Sequence, residues 1–198
     1  GYGEHSLGLD RKFTANKLGF ARVQKNPLYA ANSRGKFELL ALQALQPVMH
    51  DVGKFATDAM LFSTKEFGFV SLPDAFTTGS RAMPQKRNYD VLELLRAHSS
   101  AFDGAIPTLM QIIRSLPSGY NRDFQLTKKV FIGSVENALK ALDVAVLVVQ
   151  NIALDVRASK EACTPELNAT EEAYALVKNG VPFRDAYKKV ARKYLHNG

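Results

Sequence analysis

Apolar residues recur at helical spacing in three long stretches of the chain. The stretches run from Leu45 to Phe62, from Val91 to Leu116 and from Phe131 to Ile152, in steps of three and four residues. The third is apolar on more than one face between Ala141 and Val149, so we expect it to be buried on several sides. Helices of ~25 residues would be ~40 Å long, a length typical of a bundle. The pattern therefore predicts an all-α, long-helix bundle.

Two prolines and one histidine interrupt these apolar faces. Pro47 either occupies a first helical turn or kinks a longer helix that begins near Phe37. Pro107 is expected to kink the second helix. His98 is the polar residue on the second apolar face, and we predict that it is a hydrogen-bonded packing residue.

The helical pattern of apolar residues is interrupted twice along the chain. Residues 69–90 contain no helical or strand period, and long loops of this kind in compact domains are usually functional or disordered. After Thr164 two short helices are predicted, with Gly180 at the C-terminal αL position of the first. We therefore divide the chain into a helical-bundle domain, 1–160, which includes the loop, and a small helical domain, 161–198.

Composition narrows the class of protein. The 198 residues are 46% hydrophobic and 23% charged, which excludes a disordered tail and a collagen-like repeat. The most strongly apolar run, Val144 to Val149, is far shorter than the ~20 residues that a bilayer requires, so no membrane contact is predicted. Cys163 is the only cysteine, and we expect a reduced, cytoplasmic protein.

The net charge of +7 raises the possibility of nucleic-acid binding. Basic residues after Asn179 and Gly180 favour this only weakly, as a helix–turn–helix with a basic second helix. Residues 76–128 carry seven basic and four acidic side chains, a surplus of +3, in the region that contains the loop. We therefore predict an anionic small-molecule partner and no nucleic acid.

The loop segment from Gly79 to Asn88 reads GSRAMPQKRN and combines a hydroxyl, three cations and a carboxamide. Such a loop can bind an anion, with Ser80 as a candidate nucleophile or base, because nearby cations stabilise an alkoxide. A solvated basic loop remains the alternative. Glu93 and His98 are five residues apart and face different sides of a helix, so no metal site is predicted.

This segment resembles the GSxxMPxKxN signature of the fumarase/aspartase superfamily. Its longer context, TTGSRAMPQKRNYDVLELLR, is most similar to the argininosuccinate lyase family. The resemblance extends from about Asp10 to Tyr194, through LDRKFTANKLGFARVQKNPLYA, SGYNRDFQLTKK and NATEEAYALVKNGVPFRDAYKKV. It implies that the bundle is part of the central helical domain of such a lyase.

The resemblance also implies roles for individual residues. Ser80 is the expected general base that removes a proton next to a carboxylate. Lys86 and Asn88 are expected to bind the substrate carboxylate and stabilise the carbanion, without a cofactor. Glu93 is expected to orient and charge a catalytic histidine from another region.

A second implied group lies further along the chain. The resemblance assigns substrate contacts to Tyr120, Gln125 and Lys128. Each also has a simpler possible role: Tyr120 as a loop anchor, Gln125 as a cap and Lys128 as a helix-surface charge. Together with Lys86, Lys128 would suit a substrate with several carboxylates.

The chain departs from the family pattern at several positions. Arg81 stands where a second serine is usual, and Tyr89 replaces a proline, which we expect to loosen the backbone. Gly35 and Lys36 lie where relatives commonly carry an Arg and an Asp of the substrate site. An acylated argininosuccinate is therefore a hypothesis for the substrate.

The implied function is β-elimination of fumarate from argininosuccinate, or its acylated form, in arginine biosynthesis. The implied site is shared between subunits of a homotetramer and is built from three regions, of which residues 1–198 match only the last. We therefore expect this polypeptide alone to lack lyase activity. The alternatives are a non-catalytic structural homologue and another lyase of the superfamily, such as an adenylosuccinate lyase.

Overall fold

Helices dominate the computed structural model, which describes residues 6–79, 82–83 and 85–195. The α-helices are α1 Arg11–Lys17, α2 Pro27–Asn32, α3 Lys36–Phe62, α4 Asp90–Arg114, α5 Phe124–Asn151, α6 Val156–Glu161, α7 Ala169–Lys178 and α8 Phe183–Leu195. The strands are β1 Val70–Ser71, β2 Thr78–Gly79, β3 Arg87–Asn88 and β4 Ala153–Leu154. Short 3₁₀ turns occupy Asp74–Phe76 and Pro165–Asn168. The all-α fold class is confirmed.

Contacts divide the chain into two units. One comprises residues 1–60 and 72–151, and the other comprises residues 61–71 and 152–198. The predicted boundary near residue 160 stays a prediction. No helix of the described residues is long and apolar enough to cross a membrane.

The first unit is built on the helices α3, α4 and α5, and α3 runs antiparallel to α4. Ser99 Oγ of α4 donates to the Met49 carbonyl of α3 at 2.7 Å. One turn away, Gln46 Nε2 donates to Asp103 Oδ1 at 2.8 Å. The partners run in opposite directions along the two helices, which fixes their antiparallel register. α3 contains Pro47 in its interior, so the interpretation as one longer helix is confirmed.

The buried faces differ from the predicted ones. On α3 the core residues are Leu42, Met49, Val52, Ala56 and Ala59. Within the predicted apolar stretch, Leu45 and Phe55 are only half-buried and Val48 is exposed. On α4 the prediction for His98 was wrong. His98 is exposed, and the neighbouring Ser99 is the buried polar residue. The small serine fits between two close helices and satisfies its hydroxyl on the α3 backbone, where an imidazole would not fit.

The prediction that α5 is buried on several sides was also wrong for the chain by itself. Its buried residues, Phe124, Thr127, Ala138, Ala141, Ala145 and Val148, lie on one face. Leu139 and Val149 are each 57% exposed. Alanines on the buried face let α5 approach its neighbours closely, whereas Leu139 and Val149 lie on the other side of the helix. The result is an apolar face of α5 open to solvent.

The second unit contains the C-terminal helices. Ala173 of α7 packs with Ala186 and Val190 of α8 as a small core. Gly180 follows α7 with φ +89°, as predicted. Glu172 accepts from Lys193 at 2.7 Å, and this contact holds the pKa of the Glu172 carboxyl below its ordinary value.

Close packing of α3 on α4 generates a stability prediction. A Cβ on Gly53 would lie 2.7 Å from Ser99 Oγ and 3.0 Å from its Cβ, whereas a Cβ on Gly104 of α4 would meet no atom within 4 Å. We expect Gly53→Ala to lower the free energy of unfolding by about 1–2 kcal/mol despite the helix preference of alanine. Gly104→Ala, the matched control, should raise it by about 0.5–1 kcal/mol. Urea denaturation measures both, and equal stabilisation by the two variants would contradict this packing.

Candidate functional site

The predicted functional loop is held closed at its base. β2 and β3 pair antiparallel, with Thr78 opposite Asn88 and Gly79 opposite Arg87. The pairing brings Gly79 and Arg87 side by side, directly before α4 in the chain. Lys86 N also donates to the Met83 carbonyl at 3.0 Å, which adds a turn within the loop.

Two of the predicted loop residues can be placed. Lys86 is exposed and Asn88 is half-buried in β3. The proposed base Ser80, together with Arg81 and Pro84, lies outside the described residues. The exposed ammonium of Lys86 is open to an anion, and Asn88 is fixed by the strand pairing of its backbone.

Tyr89 tethers the end of the loop. Its hydroxyl accepts from Leu72 N at 3.2 Å and donates to the Leu72 carbonyl at 3.3 Å. The expectation that a tyrosine at this position loosens the backbone was therefore wrong. The side chain replaces a proline's local restriction of φ with hydrogen bonds to a segment 17 residues earlier.

Glu93 lies in the first turn of α4 and is exposed. A carboxylate there interacts favourably with the positive end of the helix. Among the described residues, no group of three or more His, Cys, Asp or Glu side chains could hold a metal ion.

The second predicted group lies where α4 ends and α5 begins. Gln125 Nε2 donates to the Tyr120 hydroxyl at 3.2 Å. Lys128 is exposed one turn further along α5, on the same side as Gln125 because residues three apart are helical neighbours. The turn that carries Tyr120 is fixed by Gly119 N, which donates to Asn32 Oδ1 at 2.7 Å. The structure therefore brings Tyr120 and Gln125 into direct contact.

Arg34 joins this group from the segment before α3. Its guanidinium carbon lies 4.9 Å from the centroid of the Tyr120 ring and 5.4 Å from that of Phe124. Hydrogen bonds from Arg34, and then from Gln125, lower the pKa of the Tyr120 phenol below its ordinary value. The sequence analysis did not identify Arg34 as a site residue. The one feature of the sequence that could have pointed to it is its position next to Gly35, which departs from the family pattern.

The two predicted groups are not brought together within one chain. α4 has 25 residues and so separates its two ends by about 37 Å. The loop and Glu93 lie at the end where α4 begins, which we call the loop end. Tyr120, Gln125 and Lys128 lie at the other end, which we call the turn end.

Two family models match the sequence of the chain. A sequence model described as "Lyase" matches residues 4–103, and one described as "Argininosuccinate lyase C-terminal" matches residues 166–195. Solved structures share the fold. An EDDS lyase in complex with formate gives a TM-score of 0.72 at 21% identity, covering 96% of this chain and 38% of that one. A 3-carboxy-cis,cis-muconate lactonizing enzyme from Pseudomonas putida gives 0.68 at 18% identity, covering 91% and 40%.

Curated relatives are more similar in sequence. The chain is 44% identical to the argininosuccinate lyase of Thermotoga neapolitana over 194 residues, which cover 98% of the chain and 48% of the relative. It is 46% identical to that of Sorangium cellulosum over 186 residues, which cover 94% and 43%. The chain thus spans about half the length of the curated relatives it matches. It belongs to the argininosuccinate lyase family of the fumarase/aspartase superfamily.

Proposed function

We propose that the chain contributes one part of the active site of a lyase that eliminates fumarate from argininosuccinate or an acylated argininosuccinate. The observation that carries this proposal is the 44% identity to an argininosuccinate lyase over 98% of the chain. The products are fumarate and arginine or acyl-arginine, which places the reaction in arginine biosynthesis. The part of the substrate that becomes fumarate carries two carboxylates.

The proposed chemistry begins with proton abstraction. Ser80 takes a proton from the carbon next to a carboxylate, and the electron pair of that C–H bond moves into the carboxylate. Lys86 and Asn88 stabilise the resulting charge. The pair then forms the C=C bond of fumarate as the C–N bond breaks, and a group outside this chain protonates the leaving nitrogen. Protein cations perform the stabilisation, so the proposal includes no cofactor.

Glu93 has a supporting part in this proposal. Its carboxylate orients and charges a histidine that another region supplies, and its exposure leaves it accessible to such a partner. At the turn end, Tyr120, Gln125 and Lys128 contact the amine portion of a substrate. The Tyr120–Gln125 hydrogen bond supports a common role for these two residues.

We further propose that the site is shared between copies of the chain in a homotetramer. The loop end and the turn end lie about 37 Å apart, which is more than the length of a small substrate. The two residue groups of one chain therefore cannot contact the same substrate molecule. The exposed apolar face of α5, which includes Leu139 and Val149, supports burial against another copy. Each site would then combine the loop end of one copy with the turn end of another.

Ser80 is tested in a chimera in which this chain replaces the matching half of the Thermotoga neapolitana enzyme. We expect Ser80→Ala to reduce fumarate release by about 10²–10⁴-fold, the usual contribution of a general base. Ser100→Ala is the matched control, because that exposed hydroxyl donates to the Arg96 carbonyl of its own helix. Undiminished turnover by Ser80→Ala, with the control also active, would refute the assignment.

The isolated polypeptide gives a second test. We expect the 198-residue chain to release no fumarate under conditions in which the chimera is active, because the groups proposed to complete the site are not among its own. The same assay, with plain and acylated argininosuccinate, measures which substrate the chimera prefers. Turnover by the chain alone at a rate near that of the chimera would contradict the proposed division of the site.

The contacts of Tyr120 predict how the pKa of its phenol changes when Arg34 is replaced. Arg34→Met removes the largest cause of the lowered pKa, so the pKa of Tyr120 should rise toward 10.0. Arg122→Met, the control, should raise it less, because Arg122 acts only through its charge and is the smallest cause. Ultraviolet absorbance against pH, as a difference from the matching Tyr120→Phe proteins, reports this one phenol. An equal effect of the two substitutions would show that Arg34 makes no specific contact.

A further inference from the structure

The strands that flank the predicted functional loop are held at two places. Thr78 of β2 pairs with Asn88 of β3, and the next residue, Tyr89, contacts Leu72, which lies before β2 in the chain. The strands have two residues each, and so short a pairing is weak by itself. The contact between Tyr89 and Leu72 therefore adds a second restraint directly beside Asn88.

The hydroxyl of Tyr89 serves both backbone groups of a buried residue. It accepts from Leu72 N at 3.2 Å and donates to the Leu72 carbonyl at 3.3 Å. Leu72 is 8% exposed, and a buried backbone group without a hydrogen-bond partner costs free energy. A phenylalanine could occupy the same place but would leave both groups without this partner. The contact thus depends on the hydroxyl and not only on the aromatic ring.

Tyr89 also forms the junction between β3 and α4. Its carbonyl accepts from Leu92 N at 2.9 Å, and it caps the N-terminus of α4 with φ −85° and ψ 62°. Asn88 precedes it directly, and Glu93 follows in the first turn of the helix. Because the side chain is tied to Leu72, the backbone that carries both of these residues is held in place.

We propose that Tyr89 is a positioning residue for fumarate elimination, acting through Asn88. This inference rests on the proposed lyase function. The tether keeps the Asn88 carboxamide where it can stabilise the carbanion, and a misplacement of about 1 Å can reduce a rate by as much as ~10²-fold. Since the carboxamide acts on charge that develops in the transition state, loss of the tether should lower kcat more than it changes KM.

Kinetics of the chimera described above test the proposal. We expect Tyr89→Phe to lower kcat by about 10- to 100-fold with little change in KM. Tyr89→Pro should keep most of the kcat, because φ −85° is close to the roughly −65° of proline. A proline also favours extended backbone in the residue before it, which is how Asn88 lies in β3. Tyr187→Phe, at an exposed tyrosine of α8, is the control and should change neither constant.

The order of the two variants separates positioning from packing. If only the ring of Tyr89 mattered, Tyr89→Phe would remain active and Tyr89→Pro would not, which would overturn the proposal. Circular dichroism checks that each variant is folded.

Hydrogen exchange in the 198-residue chain reports the tether without any activity. The Leu72 amide should exchange slowly in the unsubstituted chain and in Tyr187→Phe, and faster in Tyr89→Phe, because its acceptor is lost. Fast exchange of that amide in the unsubstituted chain would show that the tether does not form and would overturn the proposal.

Failure of this inference is distinct from failure of the lyase proposal. An inactive unsubstituted chimera would overturn the lyase proposal and this inference with it. An active chimera whose Tyr89→Phe variant keeps its kcat would overturn only the positioning role of Tyr89.

Discussion

The length of α4 is the constraint on which the rest of the structure depends. Its 25 residues form a continuous helix that holds the loop end and the turn end about 37 Å apart. Packing against α3 and α5 keeps that helix in place. The Ser99–Met49 hydrogen bond and the absence of a side chain at Gly53 bring α3 within close contact. Any function that needs both ends must therefore join surfaces of more than one molecule.

The distribution of apolar surface on α5 is consistent with contact between two copies of the chain. Small residues such as Ala138 and Ala141 occupy the α4–α5 contact, while Leu139 and Val149 face solvent. Exposed apolar side chains on one face of α5 support the proposed burial of that face against another copy. If that face is buried between copies, the stability of each copy depends on assembly with the others.

Much of the fold could be predicted from the sequence, because long helices leave a strong period. The pattern left two positions open for Pro47, the first turn of a helix or the interior of a longer one, and the structure has it in the interior of α3. The buried faces could not be predicted as well. When a helix is apolar on more than one side, as α5 is, periodicity does not indicate which side meets the neighbour. The same ambiguity led to the wrong placement of His98, whose buried neighbour Ser99 is small enough for the close α3–α4 contact.

In the candidate site, too, some features could be predicted from the sequence and others could not. The loop motif was visible in the sequence because its residues are contiguous, and their likeness to a known signature supplied roles that geometry alone does not. Contacts between distant segments left no comparable pattern. The stacking of Arg34 on Tyr120 and the tether from Tyr89 to Leu72 depend on three-dimensional packing. These contacts change the account of two family departures: Tyr89 restrains the loop, and a cation beside Gly35 adjoins the turn end.

Mixing two inactive chimeras tests the central claim most directly. One carries Lys86→Met at the loop end and the other carries Tyr120→Ala at the turn end. If each site joins opposite ends of different copies, mixed assemblies contain some sites free of both substitutions, so fumarate release should recover well above that of either parent. Native mass spectrometry confirms that the subunits have mixed. Mixed assemblies that remain as inactive as their parents would contradict the claim that the two ends of α4 serve different sites.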